Sequence, residues 1–320
     1  MESSLLSLVE REIKGQKFGN QPKSLYEPIR YIMSLGGKRL RPILTLLSYT
    51  LYKDDVQAVV RYAAAVEAFH NFTLMHDDIM DKAPLRRGKA TVHEKWNVNT
   101  AILAGDVMLV KVYDMFLSLD SNTLPEVLRL FNQCAAEVCE GQQWDMEFET
   151  KARVTEAQYI EMIRLKTAVL LGFSLELGAV LAGAENSDRQ ALRDFGVNIG
   201  IGFQLKDDLL DVYGDKKEFG KQVGGDIIAN KKTFLLIKAL EKARGKDKLE
   251  LNHWLVAKKF DKRKKVAAVT QLYNKLGILE LTEHKAEEFF TRGFSSLGKI
   301  ENNKVDQLTD FARQLAARQK

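Results

Sequence analysis

The chain has 320 residues, of which 45% are hydrophobic and 28% are charged, an ordinary composition for a soluble globular protein. Its 48 basic and 43 acidic side chains leave a net charge of +5, which is too small to indicate nucleic-acid binding by itself. Only 5 prolines occur and no low-complexity stretch suggests a linker, so we expect a single domain over residues 1–320.

The helical pattern dominates from the first residues to the last. Apolar residues recur at spacings of three and four, and no sustained alternation indicates strands. A long helix is predicted over 56–78, and Pro84 breaks the chain after it. Further long helices follow, the last of them ending at Gly214, and a loop rich in Gly and Lys over 219–232 precedes several shorter helices. We therefore predict an all-α fold.

Compartment and membrane signals are weak. The first residues, MESSLLSLVEREIKG, lack the basic region of a signal peptide. The one apolar stretch long enough to suggest a membrane span, 167–184, carries Glu176 in its middle, so we expect a buried core helix instead. Cys134 and Cys139 do not suggest a disulfide framework. These features predict a cytoplasmic protein without an integral membrane span.

Two aspartate clusters, each of the form DDxxD, end long apolar helices. Residues four apart lie on one helix face, about 6 Å apart along the axis, so Asp77 and Asp81 point together while Asp78 projects about 100° away. Asp207 and Asp211 repeat this geometry, with Asp208 beside them. An acidic helix end in solvent is the plain alternative for either cluster. Two such clusters after apolar runs favour a cage of oxygen ligands for Mg²⁺.

Basic loops lie near both clusters and indicate a phosphate ligand. Arg provides a planar fork for phosphate and Lys a compact charge. No GxxxxGK[ST] loop or parallel-sheet pattern is present, so a nucleotide is disfavoured against a diphosphate with an apolar tail. The run 258–265 is interpreted as plain surface basicity. The basic residues of the three loops are Lys38, Arg39 and Arg41, then Arg86 and Arg87, then Lys221, Lys231 and Lys232.

Taken together, these motifs resemble one family, the head-to-tail trans-isoprenyl diphosphate synthases, which include the farnesyl and geranylgeranyl diphosphate synthases. The resemblance covers about two-thirds of the chain in the family's motif order. Its motifs are GGKRLRP, EAFHNFTLMHDDIMDKAPLRRG, LAGD, GQQWD, KTA and GFQLKDDLLD. It implies one all-α bundle around a central apolar cavity, a homodimer, and Mg²⁺-dependent condensation of isopentenyl diphosphate with an allylic diphosphate (dimethylallyl, geranyl or farnesyl).

The resemblance also implies residue roles. The metal set is Asp77, Asp81, Asp207 and Asp211, with the first three as direct ligands in a three-ion cluster. Asp78, Asp208 and Asp211 tune the cluster or hold its waters. The residues implied to bind the allylic diphosphate are Arg86, Lys166, Lys221 and Lys231, and Thr167 and Gln204 lie near the developing carbocation. Those implied to bind isopentenyl diphosphate are Lys38, Arg41, His70 and Arg87. A core histidine with no ligand is the plain alternative for His70. Gln142 and Asp145 are expected to support the site.

Phe72 and Thr73 are the candidate determinants of product length. They lie five and four residues before Asp77, about 7 Å below the metals along the helix. A large aromatic ring at this position, with no insertion in DDIMD, resembles the short-chain producers of the family. We expect a C15 to C20 product and favour C20.

Three other functions compete with this one. A terpene cyclase normally lacks a second intact DDxxD and the GGKRLRP site. A non-catalytic partner subunit tends to lose its aspartates, and all six are present here. A nucleic-acid-binding protein would account for the net charge but not for apolar residues around the carboxylates.

Overall fold

A computed structural model of the chain describes residues 2–214 and 224–317, and most of these residues are helical. The first seven helices in chain order are α1 (Glu2–Gly15), α2 (Lys23–Ser34), α3 (Leu40–Thr50), α4 (Val60–Met80), α5 (Val92–Lys95), α6 (Val98–Phe116) and α7 (Leu124–Thr150). The helices that follow α7 are α8 (Glu156–Ile163), α9 (Val169–Ala182), α10 (Asn186–Tyr213), α11 (Gly225–Ala229), α12 (Phe234–Lys242), α13 (Gly245–Val256), α14 (Lys262–Lys275), α15 (Ile278–Leu297) and α16 (Val305–Ala317). The predicted all-α fold is confirmed.

Three short elements interrupt the α-helices. A 3₁₀ turn occupies Val56–Ala58, and a π-helical segment, Arg164–Ala168, joins α8 to α9. After Pro84, where the sequence predicts a loop, β1 (Leu85–Arg86) pairs antiparallel with β2 (Lys89–Ala90). Strands of two residues are too short to produce an alternating pattern, which is why the sequence does not indicate them.

The chain divides into two compact units. Unit 1 comprises Met1–Gln133, Leu171–Arg193 and Ile300–Leu308, and unit 2 comprises Cys134–Leu170, Asp194–Lys299 and Thr309–Lys320, in so far as these residues are described. The sequence predicts that these residues form a single domain. That depends on how the two units are joined, so the single domain stays a prediction.

In unit 1, α4 is the central helix and packs against α1, α3 and α6. Four of its alanines are at most 1% exposed, and side chains this small let the neighbouring helices approach closely. The predicted helix over 56–78 begins at Val60 instead, after the 3₁₀ turn, and continues to Met80. Its last turn therefore carries Asp77 and Asp78, and Asp81 is its C-cap residue.

In unit 2, helices α10 and α12 to α15 enclose an apolar core that includes Leu209, Leu236 and Leu251. Side-chain caps define several helix starts. Thr155 and Gln158 form a reciprocal capping box at α8, and the Asp261 carboxylate accepts from the Lys264 amide at 3.0 Å at α14.

One part of the sequence interpretation is wrong in unit 2. The run 258–265 contains six basic residues, and five of them are exposed as predicted. Lys265 is only 1% exposed, because its ammonium group turns inward toward carbonyl oxygens near the end of α11.

A single helical stretch within the described ranges, Glu156–Ala182, is long and apolar enough to cross a membrane by length and composition. Within its most apolar window, 78% of the residues are buried inside the protein. Glu176 lies in this stretch and accepts a hydrogen bond from Arg193 Nη1 at 3.4 Å. The burial matches the core helix predicted from the sequence.

Candidate active site

The first aspartate site lies in unit 1, where α4 ends and the β1–β2 hairpin begins. Arg86, on β1, donates from Nε to both carboxylate oxygens of Asp78 at 2.8 and 2.9 Å. Its Nη2 lies 3.4 Å from Asp77 Oδ2. The hairpin therefore brings one guanidinium against two of the three predicted aspartates, while Asp81 is exposed at the helix end.

The two adjacent aspartates differ in burial. The Asp78 side chain is 3% exposed and the Asp77 side chain 22%. Burial raises the pKa of Asp78, and the hydrogen bonds and charge of Arg86 act in the opposite direction. Asp78 is thus held inside the protein by Arg86, whereas Asp77 and Asp81 are more accessible, and their role as metal ligands stays a prediction.

Arg41 and His70 meet in the same unit. Arg41 Nη1 lies 3.1 Å from His70 Nε2. A guanidinium can only donate, so His70 Nε2 must accept and the imidazole is neutral. Burial, followed by the charges of Arg41, Arg87 and Arg86, lowers the pKa of His70 well below 6.5. His70 is therefore part of a basic cluster and is not an isolated core histidine.

The loop before α3 joins this cluster through Arg87. Arg87 Nη1 donates to the carbonyl oxygen of Gly36, and a Cβ at Gly37 would lie 2.8 Å from the Arg87 guanidinium. A side chain at Gly37 would therefore displace the end of the flexible Arg87 side chain. Lys38, in the same loop, is exposed. The structure thus brings together Arg41 and His70, and it brings Arg87 to the loop that carries Lys38.

The chain-length candidates lie one to two turns earlier on α4. The Phe72 ring meets His76 edge-on, with 4.8 Å between centroids, and lies 5.7 Å from the ring of Phe69. His76 Nε2 lies 3.2 Å from the carbonyl oxygen of Ile102, so this nitrogen must donate. Thr73 Oγ1 donates to the His70 carbonyl at 2.8 Å. The position of the Phe72 ring is therefore determined by aromatic neighbours on its own helix.

The second aspartate site lies in unit 2, at an open pocket of about 280 Å³. Carboxylates, ammonium groups and amide or hydroxyl oxygens share its walls. The polar lining consists of Asp145, Asp207, Asp208, Asp211, Asp226, Lys166, Lys231, Lys232, Tyr159, Thr167, Thr233 and Gln204. The residues of unit 2 that the sequence predicts for the site line this pocket, with two exceptions. Gln142 is not among the lining residues, and Lys221 lies outside the described residues.

A hydrogen-bonded chain orders one wall of the pocket. Tyr159 Oη donates to Asp208 Oδ2, and Gln204 Nε2 donates to Asp208 Oδ1 at 3.3 Å. Thr167 Oγ1 donates to Gln204 Oε1, also at 3.3 Å. Burial and the charge of Asp226 raise the pKa of Asp208 well above its usual range, and burial raises that of Tyr159. The sequence does not indicate Tyr159, because a lone tyrosine 49 positions from its partner carries no motif.

The π-helical segment sets the position of Lys166 and Thr167. A Cβ at Gly141 of α7 would lie 2.2 Å from the Lys166 amide nitrogen, and one at Gly200 of α10 would lie 2.7 Å from Ala168 Cα. Only glycines allow backbones this close. Four residues after Gly141, Asp145 accepts from Lys166 Nζ at 2.6 Å. Asp145 therefore holds the Lys166 ammonium group at the pocket, and its supporting role in the site stays a prediction.

Helix α11 and the residues that follow it form another wall of the pocket. The Asp226 amide donates to Asp211 Oδ2 at 3.0 Å, and the Lys231 amide donates to the Asp226 carbonyl at 2.9 Å. Asp226 and Lys231 both line the pocket. The sequence analysis selects Lys231 and Lys232 in this segment but not Asp226. The signal that could have indicated Asp226 is an acidic residue between glycines and lysines.

The donor chemistry fits Mg²⁺ bound together with phosphate. Within the described ranges, no three His, Cys, Asp or Glu side chains cluster closely enough to hold an ion alone. Mg²⁺ is usually held by one or two carboxylates, with water and substrate phosphate as its other ligands. Asp77 with Asp81, and Asp207 with Asp211, are pairs of this kind, and each stands near basic side chains.

Comparisons with known proteins agree with this chemistry. The family model for polyprenyl synthetases matches residues 22–274. The chain belongs to the polyprenyl synthetase family. It is 43% identical over 241 residues to a short chain isoprenyl diphosphate synthase of Methanocaldococcus jannaschii, covering 75% of this chain and 73% of the relative. To a geranylgeranyl diphosphate synthase of Sulfolobus acidocaldarius it is 35% identical over 302 residues, covering 93% and 91%.

Solved structures of polyprenyl synthetases have the same fold. A crystal structure of a geranylgeranyl pyrophosphate synthase matches with a TM-score of 0.95 and 41% identity, over 100% of this chain and 99% of that one. The predicted family and prenyltransferase activity are confirmed, and neither a terpene cyclase nor a non-catalytic subunit is favoured. The role of each individual residue stays a prediction.

Proposed function

We propose that this polyprenyl synthetase condenses isopentenyl diphosphate with an allylic diphosphate and releases diphosphate, giving a C15 to C20 product, with C20 favoured. The observation that carries the proposal is the pocket of unit 2, where carboxylates and lysines surround an open volume of about 280 Å³. That combination suits a magnesium-bound diphosphate. Relatives named geranylgeranyl diphosphate synthase support the C20 choice.

In this proposal Asp77, Asp81, Asp207 and Asp211 bind Mg²⁺. When bound, Mg²⁺ would stabilise the negative charge that develops on the leaving diphosphate as the allylic C–O bond breaks. Asp78 and Asp208 do not bind the ions directly in this proposal but tune the cluster or hold its waters. Their low exposure, 2% for Asp78 and 5% for Asp208, is consistent with that role. The hydrogen bonds from Arg86 to Asp78 and from Tyr159 to Asp208 hold the two buried carboxylates in place.

The basic side chains bind the two diphosphates. Arg86, Lys166, Lys231 and Lys221 are assigned to the allylic substrate, and Lys38, Arg41, His70 and Arg87 to isopentenyl diphosphate. Neutral His70 can donate from Nδ1, because its Nε2 accepts from Arg41.

Thr167 and Gln204 are placed near the allylic cation in the proposal. Their oxygen atoms are hydrogen-bonded to each other, so their dipoles are already oriented before a substrate binds. The double bond of isopentenyl diphosphate attacks the cation, and a proton then leaves to the departing diphosphate. No side chain is required as the base. The surroundings of the cation must exclude water, which would otherwise capture it.

A homodimer in the cytoplasm is part of the same proposal. Leu103 and Val110 on α6, and Leu117 at its C-cap, are each 58–59% exposed and recur every seven residues, so they form one apolar stripe. Such a stripe is suited to a second copy of the chain. Analytical ultracentrifugation of the wild type and of a Leu103→Glu/Val110→Glu variant would test it, and a monomeric wild type would contradict the dimer.

The activity is tested by a product assay. Purified protein, Mg²⁺ and labelled isopentenyl diphosphate are combined with each allylic starter, and the dephosphorylated products are separated by length. We expect a C15 or C20 product that is lost with a chelator, returns with added Mg²⁺, and is lost in Asp77→Asn and Asp207→Asn. The matched control is Asp106→Asn, which changes an exposed aspartate on α6. Folded wild-type protein that elongates no starter would overturn the proposal.

A further inference from the structure

We propose that Lys265 is a positioning residue of the second aspartate site, holding the C-terminal end of α11 so that Asp226 and Lys231 face the allylic diphosphate. This inference rests on the function proposed above and extends it to a residue outside the pocket that carries the chemistry.

The contacts of Lys265 are those of a buried anchor. Its Nζ donates to Asn230 Oδ1 at 2.6 Å and to the carbonyl oxygen of Ile228 at 3.2 Å, and it lies 4.4 Å from the centroid of the Phe260 ring. Burying an ammonium group is costly unless its donors are satisfied, and burial lowers the pKa of Lys265. A lysine side chain in solvent would avoid this cost. We therefore infer that the inward orientation is compensated by the order that Lys265 gives to the backbone it contacts.

The helix that Lys265 contacts is too short to be stable by itself. Helix α11 has five residues, far fewer than an isolated helix needs for stability. It ends at Asn230, which adopts a left-handed conformation with φ of 56°, and Asn230 Nδ2 donates to the Leu255 carbonyl at 3.1 Å. The end of α11 is therefore held by side-chain contacts with α13 and α14, and Lys265 makes two of them.

The opposite side of the same segment faces the pocket. The Lys231 amide donates to the Asp226 carbonyl, and the Asp226 amide donates to the Asp211 carboxylate. A small cavity of about 10 Å³ behind the segment is lined by Lys265, Asn230, Lys231 and Asp226 together. Loss of the Lys265 contacts would thus be transmitted to Asp226 and Lys231 through one turn of backbone.

The test compares Lys265→Met with wild type. Methionine keeps the length of the side chain and removes its charge and donors. We expect the KM for the allylic diphosphate to rise about 10-fold, the lower end of the loss seen when a residue that orients a metal ligand is removed. The KM for isopentenyl diphosphate should stay within 2-fold, about the resolution of such a comparison, because the residues assigned to that substrate are in unit 1.

Two control variants separate positioning from general loss of stability. Lys264→Met removes the exposed neighbouring charge and should leave both KM values unchanged. Leu272→Ala removes a buried side chain two turns later on α14 that is 4% exposed and does not line this cavity, and should lower the melting temperature without changing the ratio of the two KM values. An equal rise in the allylic KM for Leu272→Ala at matched stability would overturn the positioning role.

A second variant covers the case in which Lys265→Met does not fold. Asn230→Gly allows the left-handed backbone and removes the whole side-chain amide, both the Oδ1 atom that accepts from Lys265 and the Nδ2 atom that donates to Leu255. We expect it to give the same selective rise in the allylic KM, and no rise would contradict the inference. Hydrogen exchange of the amides at 226–231 should also be faster in Asn230→Gly and Lys265→Met than in wild type.

The exchange measurement distinguishes two kinds of failure. If wild type elongates no substrate, the proposed function fails, but faster exchange in Lys265→Met still shows that Lys265 holds the segment. If wild type is active and both exchange and KM are unchanged in the variants, the positioning role is wrong and the proposed function stands.

Discussion

Arg39 Nη1 donates a hydrogen bond to Glu67 Oε1 over 2.7 Å, and both side chains are nearly inaccessible, at 1% and 3% exposed. Arg39 Nε also donates to Glu10 Oε1 at 2.7 Å, and Nη2 donates to the Met33 carbonyl at 2.9 Å. The guanidinium therefore joins α1, α2 and α4 at the point where α3 begins. Arg39 belongs to the same basic loop as Lys38 and Arg41, but its donors bind the protein itself.

We expect Arg39→Met to destabilise the protein by about 3–5 kcal/mol, because Glu67 would be left buried without its charged partner. Urea unfolding at pH 7 measures this loss. The control is Arg30→Met, which removes an exposed arginine that donates to the Gly19 carbonyl at 2.9 Å and should cost less than about 1 kcal/mol. A loss as small for Arg39→Met as for Arg30→Met would show that the buried pair does not stabilise unit 1.

His70 should make stability depend on pH in the acidic range. Its pKa is lower in the folded protein than in the unfolded chain, mainly because of burial and then the charge of Arg41. The unfolded chain binds the proton below pH 6.5, so folding stability from this group is present above that pH and is lost as the pH falls, by up to about 1.4 kcal/mol per unit. In His70→Gln this contribution is absent. Urea unfolding at pH 5 and pH 7.5 compares the two proteins, and parallel losses would contradict the prediction.

Glu156 should also make stability fall as the pH is lowered, but in a more acidic range than His70. It lies 2.6 Å from Lys238 Nζ and 3.0 Å from Lys285 Nζ. Burial alone would raise the pKa of Glu156, but the two lysines lower it overall. Its contribution is therefore present above pH 4.5 and is lost as the pH falls through the lower folded pKa. Since all three side chains are partly exposed, we expect Glu156→Gln to cost only about 1 kcal/mol at pH 7.

The same unfolding series checks the Glu156 prediction. The difference between wild type and Glu156→Gln should shrink toward zero as the pH is lowered from 7 to 3. Glu250→Gln, at an exposed position on α13, is the matched control and should show no such trend. A difference that persists at pH 3 would mean that packing, and not charge, links Glu156 to the two lysines.

Phe72 is predicted to limit the length of the product. Phe72→Ala removes the ring that meets His76 edge-on, and we expect products longer than those of wild type by at least one isoprene unit. Separation of the dephosphorylated products by length measures this. Phe116→Leu, in the same aromatic cluster but on α6, should keep the wild-type length. An unchanged product from Phe72→Ala would move the length limit to another part of the protein.

Gly105 provides a separate test of the same aromatic arrangement. A Cβ at Gly105 would lie 2.2 Å from His76 Nε2, so Gly105→Ala must displace the imidazole that contacts Phe72. We expect a broader distribution of product lengths at nearly unchanged total activity. Gly15→Ala, where a Cβ would meet nothing within 4 Å, is the control. A wild-type distribution from Gly105→Ala would show that Phe72 does not depend on His76.

Local patterns were sufficient to predict the helices and the two aspartate clusters. The spacing of Asp77 and Asp81 and the apolar run before them are properties of one helix, and a sequence displays them directly. Tyr159, the buried pair of Arg39 with Glu67, and the inward turn of Lys265 depend on partners 28 to 49 positions away, which no local pattern indicates. The hairpin after Pro84 is too short to have a period at all.

The π-helical segment Arg164–Ala168 has a consequence for changes in chain length. Each residue of an α-helix turns the backbone by about 100°. Deleting one residue here would restore a regular helix and would rotate the side chains that follow relative to those before. Lys166 and Asp145, or Thr167 and Gln204, would then no longer meet. Sequence comparison counts a one-residue gap as a minor difference, but at this point of the helix it would cost more than most substitutions.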